Sequence, residues 1–319
     1  MRRSYFNSLK YVFVALTVLL LLSVGSAFFL LNYALTPSHD GRNVEQSWQD
    51  MYRTYPDVKN WSDSLRHCKA LRDTFITAPD GIRLHAYYVR AARPTRRTAV
   101  IVHGYTDNAV RMMMIGRMYG HDLGYNILLP DLRRAGQSGG SHIQMGWLDR
   151  LDVARWVSAV PRLFGDTATV VVHGISMGAA TTMMLSGDRQ PQYVRAFVED
   201  CGYTSAKDEF RHTLSMVHLP EQLYPWISSL FFVHNLDFLE HIVPVEEVAH
   251  SRVPILFVHG TRDTLVPFEM AIQLYDACRQ PKDKLFVYEA DHAQSYYRQT
   301  EEYQAKIDHL IDQYMKKDD

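Results

Sequence analysis

The chain has 319 residues, of which 47% are hydrophobic, and this is enough apolar material for a full core in one large domain or two small ones. Its formal net charge is −1 and its basic residues are spread along the chain, which excludes the clustered basic surface of a nucleic-acid-binding protein. The odd number of cysteines, three in all (Cys68, Cys201 and Cys278), excludes a fully paired disulfide framework.

The N-terminal segment is typical of a membrane-spanning helix. Residues 1–10 carry Arg2, Arg3 and Lys10 and no acid, and residues 11–31 then run without a charge. About 20 apolar residues suffice to cross the hydrocarbon core of a bilayer, whereas the apolar region of a cleaved signal peptide is about 7–15 residues long. The sequence therefore predicts a transmembrane anchor at 11–31, with a cleaved signal peptide as the alternative. The basic flank predicts that the rest of the chain lies on the extracytoplasmic side of the cell membrane, or is secreted if cleavage occurs.

Residues 32–72 alternate between polar and aromatic stretches, and we expect them to form a stalk with one or two short helices. None of the candidate site residues described below lies in residues 1–35. Removal of that segment is therefore expected to leave the chemistry unchanged.

From residue 73 onward, strand patterns and helix patterns alternate. Pro79-Asp80-Gly81 is a strong turn signal and predicts an antiparallel hairpin of the strands on either side. Six further apolar runs predict buried strands, and the segments between them have helical periodicity. This alternation predicts an α/β domain with a mostly parallel sheet over residues 73–316. The predicted strands are 73–78, 82–90, 98–102, 125–130, 169–172, 194–199, 254–258 and 284–288, and the predicted helices include 108–120, 148–163, 176–186, 269–278 and a closing helix with an apolar face at 303–314.

Residues from 203 to about 250 interrupt this alternation. Their apolar residues cluster and are separated by prolines, which predicts a small helical insertion. Its apolar and aromatic side chains could contact an acyl or aryl group of a substrate, or could form the core of the insertion itself, and the sequence leaves both open. These side chains are Leu223, Tyr224, Trp226, Leu230, Phe231 and Phe232.

The stretch that carries the chemistry is the run of β-favouring residues that leads into Gly174-Ile175-Ser176-Met177-Gly178. This is the sequence form of a nucleophile elbow, in which a strand turns sharply into a helix with the serine at the tip. A Cβ at position 174 or 178 would collide with the adjoining strand or helix, so both positions must be small. Ser176 is the candidate nucleophile, and the Met177 N–H, at the start of the helix, is a candidate oxyanion donor.

A second oxyanion donor is expected in the loop that follows the strand at 98–102. The carboxyl ends of parallel strands converge, so this loop should lie beside the elbow. In His103-Gly104-Tyr105, Gly104 lets the backbone approach the substrate and the Tyr105 N–H can pair with that of Met177. The His103 side chain is expected to be a core histidine.

The acid and the base are expected in the loops after the last two strands. Asp263 lies in the loop Gly260–Pro267, where a carboxylate can fix the tautomer of a histidine, and Asp200 is the competing candidate for this role. His292 lies in the loop Glu289–Ala293 and is the candidate base. No HExxH motif or comparable cluster is present, so a catalytic metal is not expected.

The chain order Ser176, Asp263, His292 is that of an α/β-hydrolase triad. Together with His103-Gly104-Tyr105 and the glycine-rich loop from Asp131 to Gly139, it makes residues 70–316 resemble α/β-hydrolases of the esterase, lysophospholipase and serine-aminopeptidase-like branch. The resemblance implies an eight-stranded, mostly parallel sheet flanked by helices, a small helical lid at about 203–250, and no metal or organic cofactor. The oxyanion loop lacks the HGGG run of many lipases, which disfavours a long-chain lipase.

The function implied by the resemblance is a serine hydrolase that cleaves carboxylic esters outside the cytoplasmic membrane through an acyl-serine intermediate. Its expected partners are a small-molecule acyl or ester substrate and, through the N-terminal helix, the membrane. Thioester cleavage and aminopeptidase-like peptide cleavage are alternatives within the same chemistry. A non-catalytic binding protein on the same fold is an alternative of a different class, against which the intact serine, aspartate and histidine argue.

Overall fold

The computed structural model describes residues 2–37, 41–233 and 237–315, which form a central sheet with helices on both faces. The strands are β1 (Arg72–Thr77), β2 (Arg83–Val89), β3 (Arg97–Val102), β4 (Asn126–Pro130), β5 (Thr169–Ile175), β6 (Val194–Asp200), β7 (Ile255–Gly260) and β8 (Lys282–Val287). The helices are α1 (Arg2–Leu35), α2 (Val44–Thr54), α3 (Pro56–His67), α4 (Met113–Arg117), α5 (Trp147–Phe164), α6 (Met177–Gly187), α7 (Ala206–Met216), α8 (Tyr224–Val233), α9 (Pro244–His250), α10 (Phe268–Ala277), α11 (Ser295–Arg298) and α12 (Thr300–Met315).

The eight strands form one sheet in the order β1-β2-β4-β3-β5-β6-β7-β8. β2 pairs antiparallel with both β1 and β4, and all the other neighbouring strands are parallel. The hairpin predicted at Pro79-Asp80-Gly81 joins β1 and β2. This mostly parallel sheet of eight strands, flanked by helices, is the architecture that the α/β-hydrolase resemblance implies.

Both faces of the sheet are covered, and this explains why its central strands are continuous apolar runs. Along β5, Val170 and Val172 enter one apolar layer, whereas Val171 and Ile175 enter the other. The first layer also contains buried side chains of α5, α6, α9 and α10, and the second contains those of α2, α3, α4 and α12. The carboxyl ends of β3, β5, β7 and β8 are therefore held at one edge of a rigid support.

The closing helix buries the face that its periodicity predicted, since the residues at positions 303, 307, 310 and 311 of α12 are at most 2% exposed. The helix predicted at 108–120 is less regular. It is split into a 3-10 turn (Ala109–Met112), α4, and a π-helical turn (Met118–Asp122). The Asn108 side chain accepts hydrogen bonds from the N–H groups of Val110 and Arg111, and this capping starts the segment as a tight turn.

The predicted transmembrane anchor at residues 11–31 falls within α1 and is not supported. Among the described helices, none combines the length and the apolar character that a membrane span requires. The carboxyl end of α1 is part of the domain. Leu35 is buried in the same apolar layer as α5 and α6, and its carbonyl accepts a hydrogen bond from the Ile143 N–H at 3.0 Å.

The short helices expected in the region of the predicted stalk are α2 and α3, and they pack onto the domain. Trp48 of α2 and Val58 and Trp61 of α3 are buried in the layer that contains α12. The Asn108 amide ties this region to the sheet, because it donates to the Gly41 carbonyl at 2.7 Å. The hydrophobic core thus begins well before residue 73.

The insertion between β6 and β7 is helical, as predicted. It contains α7, α8 and α9, with short 3-10 turns at Glu221–Leu223 and Asp237–His241. α7 follows directly from the loop after β6, so this helix is the part of the insertion that lies against the carboxyl edge of the sheet.

Candidate active site

Ser176 lies on a strained turn between β5 and α6. Its φ is 58° and its ψ is −122°, a conformation that L-residues rarely adopt. A Cβ on Gly174 would overlap the Gly178 carbonyl, and a Cβ on Gly178 would overlap the Val102 carbonyl of β3. The two glycines therefore permit the close strand–helix contact that keeps Ser176 at the tip of the turn, the geometry that the motif predicted.

Ser176, His292 and Asp263 form a hydrogen-bonded chain. His292 Nε2 lies 2.8 Å from Ser176 Oγ, and His292 Nδ1 lies 2.7 Å from Asp263 Oδ2. The three residues follow the carboxyl ends of β5, β7 and β8 and lie far apart in the sequence. The arrangement holds a base on a hydroxyl and an acid on the base, as activation of a serine nucleophile requires.

The Asp263 carboxylate is fixed from its other side by backbone. Its Oδ1 accepts hydrogen bonds from the N–H groups of Leu265 at 3.0 Å and Val266 at 2.9 Å. The side chain is fully buried, whereas that of His292 is 19% exposed. The acid is thus immobilised in the interior and the base reaches outward to the serine and to solvent.

Asp200, the competing acid, does not contact His292 Nδ1. Its Oδ2 accepts a hydrogen bond from the Tyr303 hydroxyl at 2.9 Å, and its backbone carbonyl accepts one from the Ser176 N–H at 2.8 Å. Burial raises the pKa of Asp200 to about 7. The Asp200 backbone therefore holds the Ser176 turn in place, and Asp263 occupies the position of the acid.

A His-Gly pair lies at or near the carboxyl end of each of three strands, β3, β5 and β7. The three histidines, His103, His173 and His259, are at most 1% exposed, and burial lowers the pKa of each imidazole. His103 Nδ1 donates to the Gly104 carbonyl at 2.8 Å, and its Nε2 accepts from the Leu132 N–H at 2.9 Å. This is the core histidine that the sequence predicted.

The other two histidines were missed by the sequence reasoning. His259 Nε2 donates to the Val266 carbonyl at 2.9 Å and lies 3.4 Å from Asp263 Oδ2, so it braces the loop that carries the acid. His173 Nε2 lies 2.9 Å from the Tyr303 hydroxyl. The repeated His-Gly pair at the ends of apolar strands was the signal that could have identified both residues.

The backbone of Gly104 and Tyr105 passes directly beside the nucleophile. A Cβ on Gly104 would lie 3.3 Å from Ser176 Cβ, a tight contact that glycine avoids without a shift of the elbow. Tyr105 and Met177 line the same cavity as Ser176, and Met177 is the first residue of α6. The first N–H groups of a helix have no intrahelical acceptor, which leaves the Met177 N–H available to an oxyanion.

A cavity of about 220 Å³ opens above Ser176. Its lid wall comes from α7 and the loop before it, and of the described insertion residues that the sequence suggested, Leu223, Tyr224 and Trp226 do not line it. Trp226 is 67% exposed, and the side chains of Leu230, Phe231 and Phe232 lie outside the described part of the structure. The lining residues are Ala34, Tyr105, Met145, Ser176, Met177, Tyr203, Glu209, Phe210, Thr213, Leu265 and Val266.

The end of α1 belongs to this cavity, so residues 1–35 contribute to the surroundings of the site although no candidate site residue lies among them. Ala34 lines the cavity, and its carbonyl accepts a hydrogen bond from the Tyr105 hydroxyl. Tyr105 is also the residue whose N–H is the candidate oxyanion donor. A side chain far from the motifs in sequence therefore shapes the space next to the nucleophile.

Cys201 is a further neighbour of the triad. Its Sγ lies 4.0 Å from His292 Nε2, and ligand atoms of Cys201, Asp263 and His292 lie within 4.8 Å of one another, as in sites that hold a metal ion. Burial raises the pKa of the Cys201 thiol well above its usual value, so the sulfur is a protonated thiol at neutral pH. His292 is already hydrogen-bonded to both Asp263 and Ser176, so the cluster is best suited to acid–base chemistry.

Comparison with known proteins agrees with this architecture. The sequence model of the prolyl oligopeptidase family, peptidase family S9, matches residues 122–318, a range that includes Ser176, Asp263 and His292. The Bacillus subtilis protein YqkD is 25% identical over 260 residues, which cover 80% of this chain and 85% of that protein. The Danio rerio lysophosphatidylserine lipase ABHD12 is 27% identical over 163 residues, which cover 50% of this chain and 41% of the lipase.

Among solved structures, the Pyrococcus furiosus esterase Pf2001 has the same fold. It superposes with a TM-score of 0.62 at 23% identity over 77% of this chain and 93% of the esterase. The family match extends over more than half of the chain and over every residue of the hydrogen-bonded triad. The chain is therefore a hydrolase of the α/β-hydrolase superfamily and belongs to the prolyl oligopeptidase family.

Proposed function

We propose that the protein is a serine hydrolase that cleaves carboxylic esters of small-molecule substrates through an acyl-Ser176 intermediate. The observation that carries the proposal is the position of His292, whose two ring nitrogens lie 2.8 Å from Ser176 Oγ and 2.7 Å from Asp263 Oδ2. One imidazole can thus take the serine proton while the buried carboxylate stabilises the resulting imidazolium.

The reaction follows from these positions. His292 Nε2 takes the hydroxyl proton as Ser176 Oγ attacks the ester carbonyl carbon, and the N–H groups of Tyr105 and Met177 donate to the oxyanion. The tetrahedral intermediate then collapses, the C–O bond of the ester breaks, and His292 gives its proton to the departing alkoxide. A water molecule repeats the sequence on the acyl-serine, which releases the acid and restores Ser176.

An ester of modest size is supported by the cavity. Its volume of about 220 Å³ lies below the range of about 300–1,000 Å³ for pockets that enclose drug-sized ligands. Most of the side chains around it are apolar, and this favours a short acyl group. The structural similarity to an esterase supports the same choice, whereas the family match supports peptide cleavage as the second candidate, since both reactions use the same residues.

The test is turnover of p-nitrophenyl esters of graded acyl length, measured beside aminoacyl arylamides. We expect hydrolysis of short esters, with a loss on the order of 10⁶ in kcat for Ser176→Ala, because the serine and histidine act as one unit. Ser158→Ala, which removes an exposed hydroxyl of α5, is the matched control and should retain full activity. Turnover at the wild-type rate in Ser176→Ala would overturn the proposal, and a preference for arylamides would replace the ester with a peptide.

A further inference from the structure

Glu209 is a charged residue in an otherwise largely apolar pocket. It lies on α7 and lines the cavity of about 220 Å³ together with Ser176. Among the described residues, no hydrogen-bond partner and no basic side chain contacts its buried Oε2. The basic residues of the same helix face elsewhere, since Lys207 and Arg211 line a separate cavity of about 470 Å³ and Arg211 pairs with Glu221 at 2.8 Å.

A buried carboxylate without a partner is costly, because the charge has lost its hydration and gains no compensating hydrogen bond. Burial accordingly raises the pKa of Glu209 to about 7, with a smaller opposing effect of His292 and a smaller raising effect of Asp263. The Glu209 charge also contributes to the raised pKa of Tyr203, a residue that lines the same cavity. Near neutral pH, the carboxyl group therefore alternates between its acid and its charged form.

A cation inside the pocket would remove this cost. A carboxylate and an ammonium group form a charge-assisted hydrogen bond that is about twice as strong as a neutral one. The aromatic rings of Tyr105, Tyr203 and Phe210 also line the cavity, and ring faces attract both primary and quaternary ammonium groups. Because Glu209 and Ser176 line the same cavity, a cation held by Glu209 would share that space with the reacting carbonyl.

We propose that Glu209 binds a positively charged nitrogen of the substrate, so that the enzyme prefers esters carrying an amine or a quaternary ammonium near the scissile bond. This substrate class rests on the proposed hydrolase function and narrows it. The charge can belong to the acyl part, as in aminoacyl esters, or to the alcohol part, as in choline esters. The two sources share the ammonium chemistry and are separated by experiment.

The experiment uses two pairs of substrates of matched shape. The acyl pair is p-nitrophenyl 4-(trimethylammonio)butyrate and its uncharged carbon analogue, p-nitrophenyl 5,5-dimethylhexanoate, and the alcohol pair is butyrylcholine and its uncharged carbon analogue, 3,3-dimethylbutyl butyrate. For each pair, the ratio of kcat/KM for the charged and the neutral ester is measured in the full-length protein. The ratio cancels any change in the triad, because both members of a pair undergo the same chemistry.

We expect the wild type to favour the charged ester in one pair, and Glu209→Gln to lower that ratio by about 10- to 100-fold, as for the loss of a hydrogen bond to a charged group. Glu209→Asp, which keeps the charge, should retain part of the preference. Glu246→Gln removes an exposed carboxylate of α9 and should leave the ratio unchanged. The pair that responds identifies the acyl or the alcohol part as the source of the charge.

The pH dependence gives a second readout. Glu209 gains its negative charge as pH rises through about 7, so the ratio for the permanently charged choline ester, if that pair responds, should rise over this range in the wild type and stay flat in Glu209→Gln. Ratios that are unchanged by Glu209→Gln in both pairs would overturn the proposal. If the neutral esters are also not hydrolysed by the wild type, the proposed hydrolase function itself fails, which is a distinct result.

Discussion

The floor and the wall of the cavity above Ser176 are built in different ways. The floor consists of the strand ends that carry Ser176, Asp263 and His292, and its polar groups are paired with one another or with backbone. The wall, formed by the end of α1 and by α7, brings Ala34 and the unpartnered Glu209 to the same space from distant parts of the chain. Short segments at strand ends therefore carry the reacting groups, whereas packing of segments remote in sequence shapes the space for the substrate.

Removal of the acid of the triad should have the largest effect on the floor of the cavity. Asp263→Asn should lower kcat for a short p-nitrophenyl ester on the order of 10⁴-fold, because the amide favours the wrong tautomer of His292 and cannot stabilise its charged form. The measurement is steady-state kinetics of a variant whose thermal unfolding shows that it is folded.

Asp200→Asn is the matched control for this variant. Asp200 is as buried as Asp263, but it accepts its hydrogen bond from Tyr303, and an asparagine carbonyl can accept the same bond. We expect its kcat to stay within about tenfold of the wild type, the loss that one neutral hydrogen bond can account for. If Asp200→Asn were the more damaging change, the acid role of Asp263 would have to be abandoned.

The floor could be predicted from the sequence because its requirements are local. Gly174 and Gly178 have to be small, Ser176 has to follow a buried strand, and a parallel sheet brings the strand ends together. Asp263 and Asp200 both lie at strand ends, and the loop Gly260–Pro267 around Asp263 favoured it as the acid. The histidines His173 and His259 were missed, because a single histidine in an apolar strand does not reveal which loop it will brace.

The wall could not be predicted, because no local pattern encodes it. The apolar content of the lid sequence directed attention to Trp226 and its neighbours, whereas α7 supplies the lid wall through Glu209 and Phe210. The role of Ala34 depends on its contact with Tyr105, a residue far away in the sequence. Such contacts arise from tertiary packing, which the periodicity of a single segment does not specify.

Two N-terminal deletions test whether the end of α1 contributes to the wall of the cavity. Removal of residues 1–31 keeps Ala34 and Leu35, whereas removal of residues 1–35 deletes the acceptor of the Tyr105 hydroxyl and a buried side chain. We expect the longer deletion to lower kcat/KM by up to about tenfold, as for one lost neutral hydrogen bond, and to lower Tm by several degrees. The shorter deletion should have the same kcat/KM and the same Tm as the full chain.

Kinetics with a short ester and thermal unfolding measure these effects on the purified proteins. Equal kcat/KM and equal Tm for the two deletions would show that the end of α1 does not shape the site. The cavity wall would then have to be assigned to the lid alone.

The role of Ser176 as the nucleophile is tested directly by covalent labelling with a fluorophosphonate, followed by peptide mass mapping. An activated serine displaces fluoride and keeps the phosphonyl group, so we expect one adduct per chain, located on Ser176. The same reaction should be slowed by orders of magnitude in His292→Ala, because that variant lacks the base that takes the serine proton. An adduct on a different residue, or labelling of Ser176 at the wild-type rate without His292, would contradict the assignment of Ser176, His292 and Asp263 as the catalytic unit.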